Sequence, residues 1–72
     1  MKHLYEDIFD YLYNVRSNLN EMGVTRNYKH AMLVAAKKEF KHIPQEILSS
    51  DSLKEIIDDV CEMWEELEGV AA

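Results

Sequence analysis

The 72-residue chain has one cysteine, one proline and two glycines, and no long apolar run. With Cys61 alone, neither an intrachain disulfide nor a cysteine-based zinc cluster can form, and a reducing interior is the expected compartment. So little glycine and proline leaves no linker, and the length allows one domain at most. The longest apolar run, AMLVAA at residues 31–36, is far too short to cross a bilayer. Glu6, Asp7 and Asp10 interrupt the stretch where a signal peptide needs continuous apolar residues. A soluble, cytoplasmic protein with no membrane partner is expected. A Gly-rich phosphate loop, a His-Glu-x-x-His pattern and a paired-cysteine motif are all missing, so no cofactor, no metal and no enzymatic activity are expected.

What the chain does have is helical periodicity. A hydrophobic content of 47% points to a packed fold, although a chain this short buries only about 60–65% of its unfolded surface and has a marginal core. Leu4, Ile8, Tyr11, Leu12, Val15, Leu19 and Met22 recur at three- and four-residue spacing, one stripe of a helix over 3–22. Gly23 suits the left-handed position that closes it. Thr25 or Asn27 is expected to cap a second helix over 26–42, with Tyr28, Met32, Ala35, Ala36, Phe40 and Ile43 inward and Pro44 ending it. PQEIL predicts a short extra turn at 44–48 that sets Ile47 and Leu48 over one end of the core. Ser50 or Asp51 then caps a third helix over 51–68, whose Leu53, Ile57, Val60, Trp64 and Leu67 step by four and three, with Ile56 and Met63 beside them. No segment alternates with the period of a strand. The expected fold is a small all-α, antiparallel three-helix bundle with a short helical turn before the last helix, centred on Leu12, Val15, Met32, Ala36, Phe40, Ile57, Val60 and Trp64.

Charge is segregated by helix. The net charge is −6, but residues 24–43 carry +4, five Lys and Arg against Glu39, whereas residues 44–72 carry −8. On the third helix Glu55, Asp58, Asp59, Glu62, Glu65 and Glu66 form an almost unbroken outward band. Like charges at i, i+4 cost about 0.2–0.5 kcal/mol per pair, and carboxylates in a last turn oppose the helix dipole. The band reads either as a solvated face relieved at its edge by the basic second helix or as a docking face for a basic partner. Calcium is a poor fit, because its oxygen ligands converge from a loop and these are strung along a rod. On the second helix Arg26, His30, Lys37 and Lys41 share an outward strip roughly 22 Å long, with Val34 in its middle, which could follow the phosphates of a nucleic acid. The net negative charge and the scarcity of base-reading side chains there speak against that use. On the first helix Tyr5, Phe9 and Tyr13 lie four residues apart, as the flank of a wide core face or as a contact surface of the kind aromatics favour.

Catalytic groups are sparse. His3 and His42 stand alone, and Cys61 lies among Asp58, Asp59, Glu62 and Glu65, where negative surroundings disfavour a thiolate. Residues 31–60 are similar to the second half of acyl carrier proteins, small acidic helical bundles in which a Glu-Phe helix end is followed by Ile-Pro and a last helix. In that family the phosphopantetheine-bearing serine sits in Asp-Ser-Leu before the Ile-Pro. Here that place reads Thr25-Arg26-Asn27, and the chain's own Asp51-Ser52-Leu53 comes after it, so a carrier function does not follow. The expected function is a non-enzymatic, regulatory protein-protein interaction module, an adaptor, inhibitor or accessory protein. Its partner is a protein with a basic or apolar surface, met by the acidic helix and the aromatic flank. The alternative is a small nucleic-acid-binding regulator using the basic strip. A homodimer with Tyr5, Phe9 and Tyr13 at its contact is also expected, since a two-fold axis lets one patch serve both partners.

Overall fold

Three helices carry the chain: α1 (Lys2–Glu21), α2 (Tyr28–Glu39) and α3 (Ser50–Glu68). The computed structural model describes residues 2–68, with side chains from His3 onward. Neighbours in sequence run antiparallel: Tyr11 meets Phe40 while Arg16 meets Tyr28, so α2 descends as α1 rises. α1 and α3 are therefore parallel, with Tyr5 opposite Asp59 and Tyr13 opposite Glu68. This is the expected small all-α three-helix bundle, and no strand occurs among the described residues.

The helix ends explain the topology. Gly23 sits at φ 81°, with its N–H donating to the Asn20 carbonyl at 3.0 Å and the Val24 N–H donating to the Leu19 carbonyl at 2.9 Å. That pair of bonds is the Schellman closure, which a side chain at positive φ would strain. α2 is shorter at both ends than the 26–42 read from the sequence. Asn27 occupies the position before it in left-handed geometry, φ 57°, so the helix cannot begin at 26, and its side chain makes no capping bond. At the other end Phe40 leaves helical geometry at φ −109°, ψ 28°, four residues before Pro44. The expected turn at 44–48 is present, since the N–H groups of Ile47 and Leu48 both donate to the Pro44 carbonyl at 3.0 Å. It buries Leu48 but leaves Ile47 exposed, so only one of the two covers the core. The cap of α3 is Ser49, one residue before those expected. Its Oγ accepts the Ser52 N–H at 3.1 Å and its carbonyl accepts the Leu53 N–H.

Ile8, Leu12, Met32 and Val60 are wholly buried at the centre, joined by Ala36, Leu53, Ile56, Ile57, Cys61 and Trp64. Val15 and Phe40, expected among them, are only half-buried. Val15 lies on the flank of α1, and the Phe40 ring stands edge-on to Tyr11 at 5.5 Å, past the end of α2. Met22 and Leu67, the last members of their stripes, are exposed, and Met22 lies just past the last residue of α1.

One buried residue is charged. Arg16 is 6% exposed, and its guanidinium carbon lies 4.2 Å from the centroid of Tyr28 and 4.1 Å from that of Trp64. A single side chain of α1 thus holds an aromatic ring from α2 and another from α3. The Trp64 indole N–H donates to Ser17 Oγ at 2.8 Å, which fixes the ring beside it. The Nε and Nη1 groups of Arg16 meet no hydrogen-bond partner among the described residues. Two desolvated cation–π contacts contribute about 2 kcal/mol each, and each unpaired donor costs about 1–3 kcal/mol. The two effects nearly cancel. Arg16 therefore fixes how the three helices sit more than it adds net stability.

Candidate interaction surfaces

The six carboxylates of the band, Glu55, Asp58, Asp59, Glu62, Glu65 and Glu66, are all exposed on α3. Its two edges are tied to the neighbouring helices. Lys29 Nζ lies 3.0 Å from Asp58 Oδ1, and the Tyr5 hydroxyl donates to Asp59 Oδ2 at 3.2 Å. Between those edges, Glu55, Glu62, Glu65 and Glu66 form no ion pair with any described residue. The basic helix beside the band therefore relieves it at Asp58 alone. Repulsion along Glu55–Asp59 and Glu62–Glu66, about 0.2–0.5 kcal/mol for each pair, is left standing.

The aromatic strip of α1 is partly a core flank. Phe9 and Tyr13 pack against the core, and the Tyr13 hydroxyl donates to Glu68 Oε2 at 2.9 Å. Tyr5 is 46% exposed, with its ring 5.9 Å from that of Phe9. Facing them across the seam stands Met63, 43% exposed, with Leu67 one turn further along α3 at 67%. Tyr5, Glu6, Phe9, Asp10 and Met63 line a shallow groove of about 360 Å³. Met63 and Leu67 were read from the sequence as core positions or their neighbours. Only the parallel pairing of α1 with α3 turns Met63 into the far wall of the aromatic strip.

Arg26, His30, Lys37 and Lys41 are all exposed, and Val34 among them is 52% exposed. His30 and Lys37 lie on α2, but Arg26 and Lys41 lie outside it, on the flanking loops. The strip is therefore helical only in its middle. Lys29, adjacent to it, is engaged with Asp58, and the hydrogen bond to that carboxylate is the main reason its ammonium holds its proton more tightly. His3 Nδ1 lies 3.7 Å from Glu6 Oε1 at the exposed start of α1.

Cys61 is more deeply placed than the sequence suggested. It is buried, with its sulfur 3.7 Å from that of Met32. Burial is the main cause of its raised pKa, with Glu65 and Asp58 adding to it and Lys29 and Arg16 acting in the opposite sense. The acidic neighbours invoked from the sequence are thus the lesser cause. Among the described residues no three His, Cys, Asp or Glu side chains converge as a metal site needs, and no helix is long and apolar enough to cross a membrane.

The tyrosines give the bundle a pH signature. Burial, then the bond and the charge of the carboxylate each one meets, raises the pKa of Tyr5 beside Asp59 and of Tyr13 beside Glu68. Tyr11 is raised by burial and by Glu39. With Cys61 and Lys29, all five groups bind their proton more tightly folded than unfolded. Their contributions are complete below the unfolded values, 9.0 for the thiol, 10.0 for the phenols and 10.5 for the ammonium, and vanish as pH rises through the higher folded ones. The melting temperature is expected to fall progressively above about pH 9. Dichroism melts at stepped pH check this, and a melting point that climbs through that range contradicts it.

No protein-family model matches the chain, and neither a curated protein nor a solved structure matches it. The functional reading therefore rests on the surfaces alone.

Proposed function

We propose that this chain is a non-enzymatic interaction module, an adaptor, inhibitor or accessory protein of a reducing, cytoplasmic compartment. It docks a protein partner through the acidic face of α3 and the aromatic flank of α1. The observation that carries this reading is the unrelieved band. A small domain has about 0.05–0.15 kcal/mol of stability per residue, so standing repulsion along one helix is a real cost. Five Lys and Arg side chains lie on or beside α2, yet one ion pair, Lys29–Asp58, is all they make with the band among the described residues. A basic partner would supply the missing counter-charge. The contact would be electrostatic in its approach and salt-sensitive in its rate.

The exposed Arg26, His30, Lys37 and Lys41 support a second reading, binding to nucleic acid through α2. Capture from native lysate on the immobilised chain, with and without nuclease, separates the two. Protein docking predicts a partner that stays after nuclease treatment, and no mobility shift of duplex or single-stranded DNA or RNA even at low salt. A shift that weakens steeply with salt and disappears when Arg26, Lys37 and Lys41 are all changed to alanine overturns the first reading in favour of the second.

A further inference from the structure

The α1–α3 groove narrows the chemistry of the partner. Its floor is apolar, made by Tyr5, Phe9 and Met63, and the exposed Leu67 lies one turn beyond Met63 on the same side of α3. The edge of α3 beside it, from Asp59 to Leu67 with Met63 at its middle, spans about 12 Å at 1.5 Å per residue, the length of two helical turns and a fraction. Its borders are carboxylates. Glu6 and Asp10 line the α1 side, and Asp59 and Glu66 flank Met63 at four- and three-residue spacing on α3. The exposed Lys and Arg side chains of the described structure lie elsewhere. They stand on α2 and its loops, or, for Lys54, in a hollow shared with Lys29, His30 and Leu33 of α2. An apolar floor with a rim of one sign selects an occupant that is apolar on one stripe and cationic beside it.

The geometry points to a cationic amphipathic helix of a partner protein as the ligand of this groove. Its apolar side chains, four residues apart, would seat on Tyr5, Phe9, Met63 and Leu67, with Lys or Arg on both flanks facing the rim. The groove belongs to the docking face proposed above, and its occupant is inferred on that footing. An isologous dimer across the same patch would set Glu6, Asp10 and Asp59 of one copy against like charges of the other, at a cost that grows as salt is lowered. An anionic membrane or a nucleic acid would be repelled. Leucine-type anchors in an apolar groove, helped by opposite charge at the rim, are a recurrent way for one helix to be held by two others.

The test uses two synthetic peptides of one composition. One has Leu at i, i+4 and i+8 with Lys on both sides of that stripe, and the other has the same residues scrambled so that Leu falls all around the helix. Each is titrated into the whole chain while the Met63 methyl, the Leu67 methyls and the Tyr5 and Phe9 ring signals are followed by NMR. Saturable shifts at those groups are expected with the striped peptide, with affinity falling as salt rises and about tenfold weaker for the scrambled one. Met63→Lys, an exposed position, is expected to weaken the striped peptide by about tenfold while leaving helicity unchanged. Equal binding of both peptides, insensitive to Met63→Lys, overturns the groove but leaves the acidic-face reading standing. No binding of either peptide at low salt overturns both. Concentration-dependent shifts of the same groups without peptide, strengthened by salt, overturn the partner helix in favour of a second copy of this chain.

Discussion

Trp64→Ala is expected to abolish the cooperative melt of this domain or lower its midpoint by at least about 12 °C. Emptying a buried aromatic site costs about 3–5 kcal/mol, and each kcal/mol moves the midpoint of a domain this small by roughly 4–8 °C. Trp64 is 3% exposed, and its loss does more than open a cavity. Ser17 Oγ loses the indole N–H it accepts at 2.8 Å, and Arg16 is left stacked on Tyr28 alone, a buried cation with one aromatic face removed. At about 0.05–0.15 kcal/mol per residue the whole domain has roughly 4–11 kcal/mol in hand, so the substitution removes from about a quarter of it to all of it. Trp64→Phe keeps most of the volume and a weaker ring for Arg16 while giving up the hydrogen bond, and should cost less than half as much. Arg16→Met separates the roles of the cluster. It keeps a long, polarizable side chain between the rings without the unpaired donors, and is expected to change stability by about 1 kcal/mol or less. A Trp64→Ala protein that melts within a few degrees of the wild type contradicts the cluster as the junction of the three helices.

How much of this was legible beforehand differs from residue to residue. The stripe Ile8, Leu12, Met32, Ile57, Val60 and Trp64 was readable because a helix buries one face and the spacing of apolar residues marks it. Gly23 was readable because only its left-handed geometry closes α1 so tightly. The ends of α2 were not, because Asn27 tolerates both capping and left-handed geometry, and the sequence does not say which one the loop requires. Arg16 was hidden by its type. An arginine on an apolar stripe is ordinarily taken for a side chain that reaches out to water, and its burial depends on rings supplied by two other helices. The candidate surface divided in the same way. The acidic band and the basic strip were visible from charge spacing, and their exposure follows from the inward stripes. The groove was not visible, because its walls come from helices more than fifty residues apart in sequence, Tyr5 and Phe9 on one side and Met63 on the other.

The second large effect expected is the loss of partner capture when Glu55, Glu62 and Glu66 are changed together to Lys. These three carboxylates are exposed, make no ion pair with a described residue, and are spread along the outward face of α3. Reversing them changes the charge of that face by six and replaces attraction toward a basic partner with repulsion. The fold should tolerate the change. A lysine in place of Glu62 would stand between Asp58, Asp59 and Glu65 at helical spacing, and one in place of Glu66, in the last turn, suits the helix dipole. The comparison of this variant with the wild type is the most direct measurement of the central claim, provided that dichroism shows equal helicity in both. Partner capture from nuclease-treated lysate that is lost in the variant, and weakened by salt in the wild type, is the predicted result. Capture that persists undiminished in the charge-reversed chain contradicts the claim and leaves the acidic band a merely solvated face.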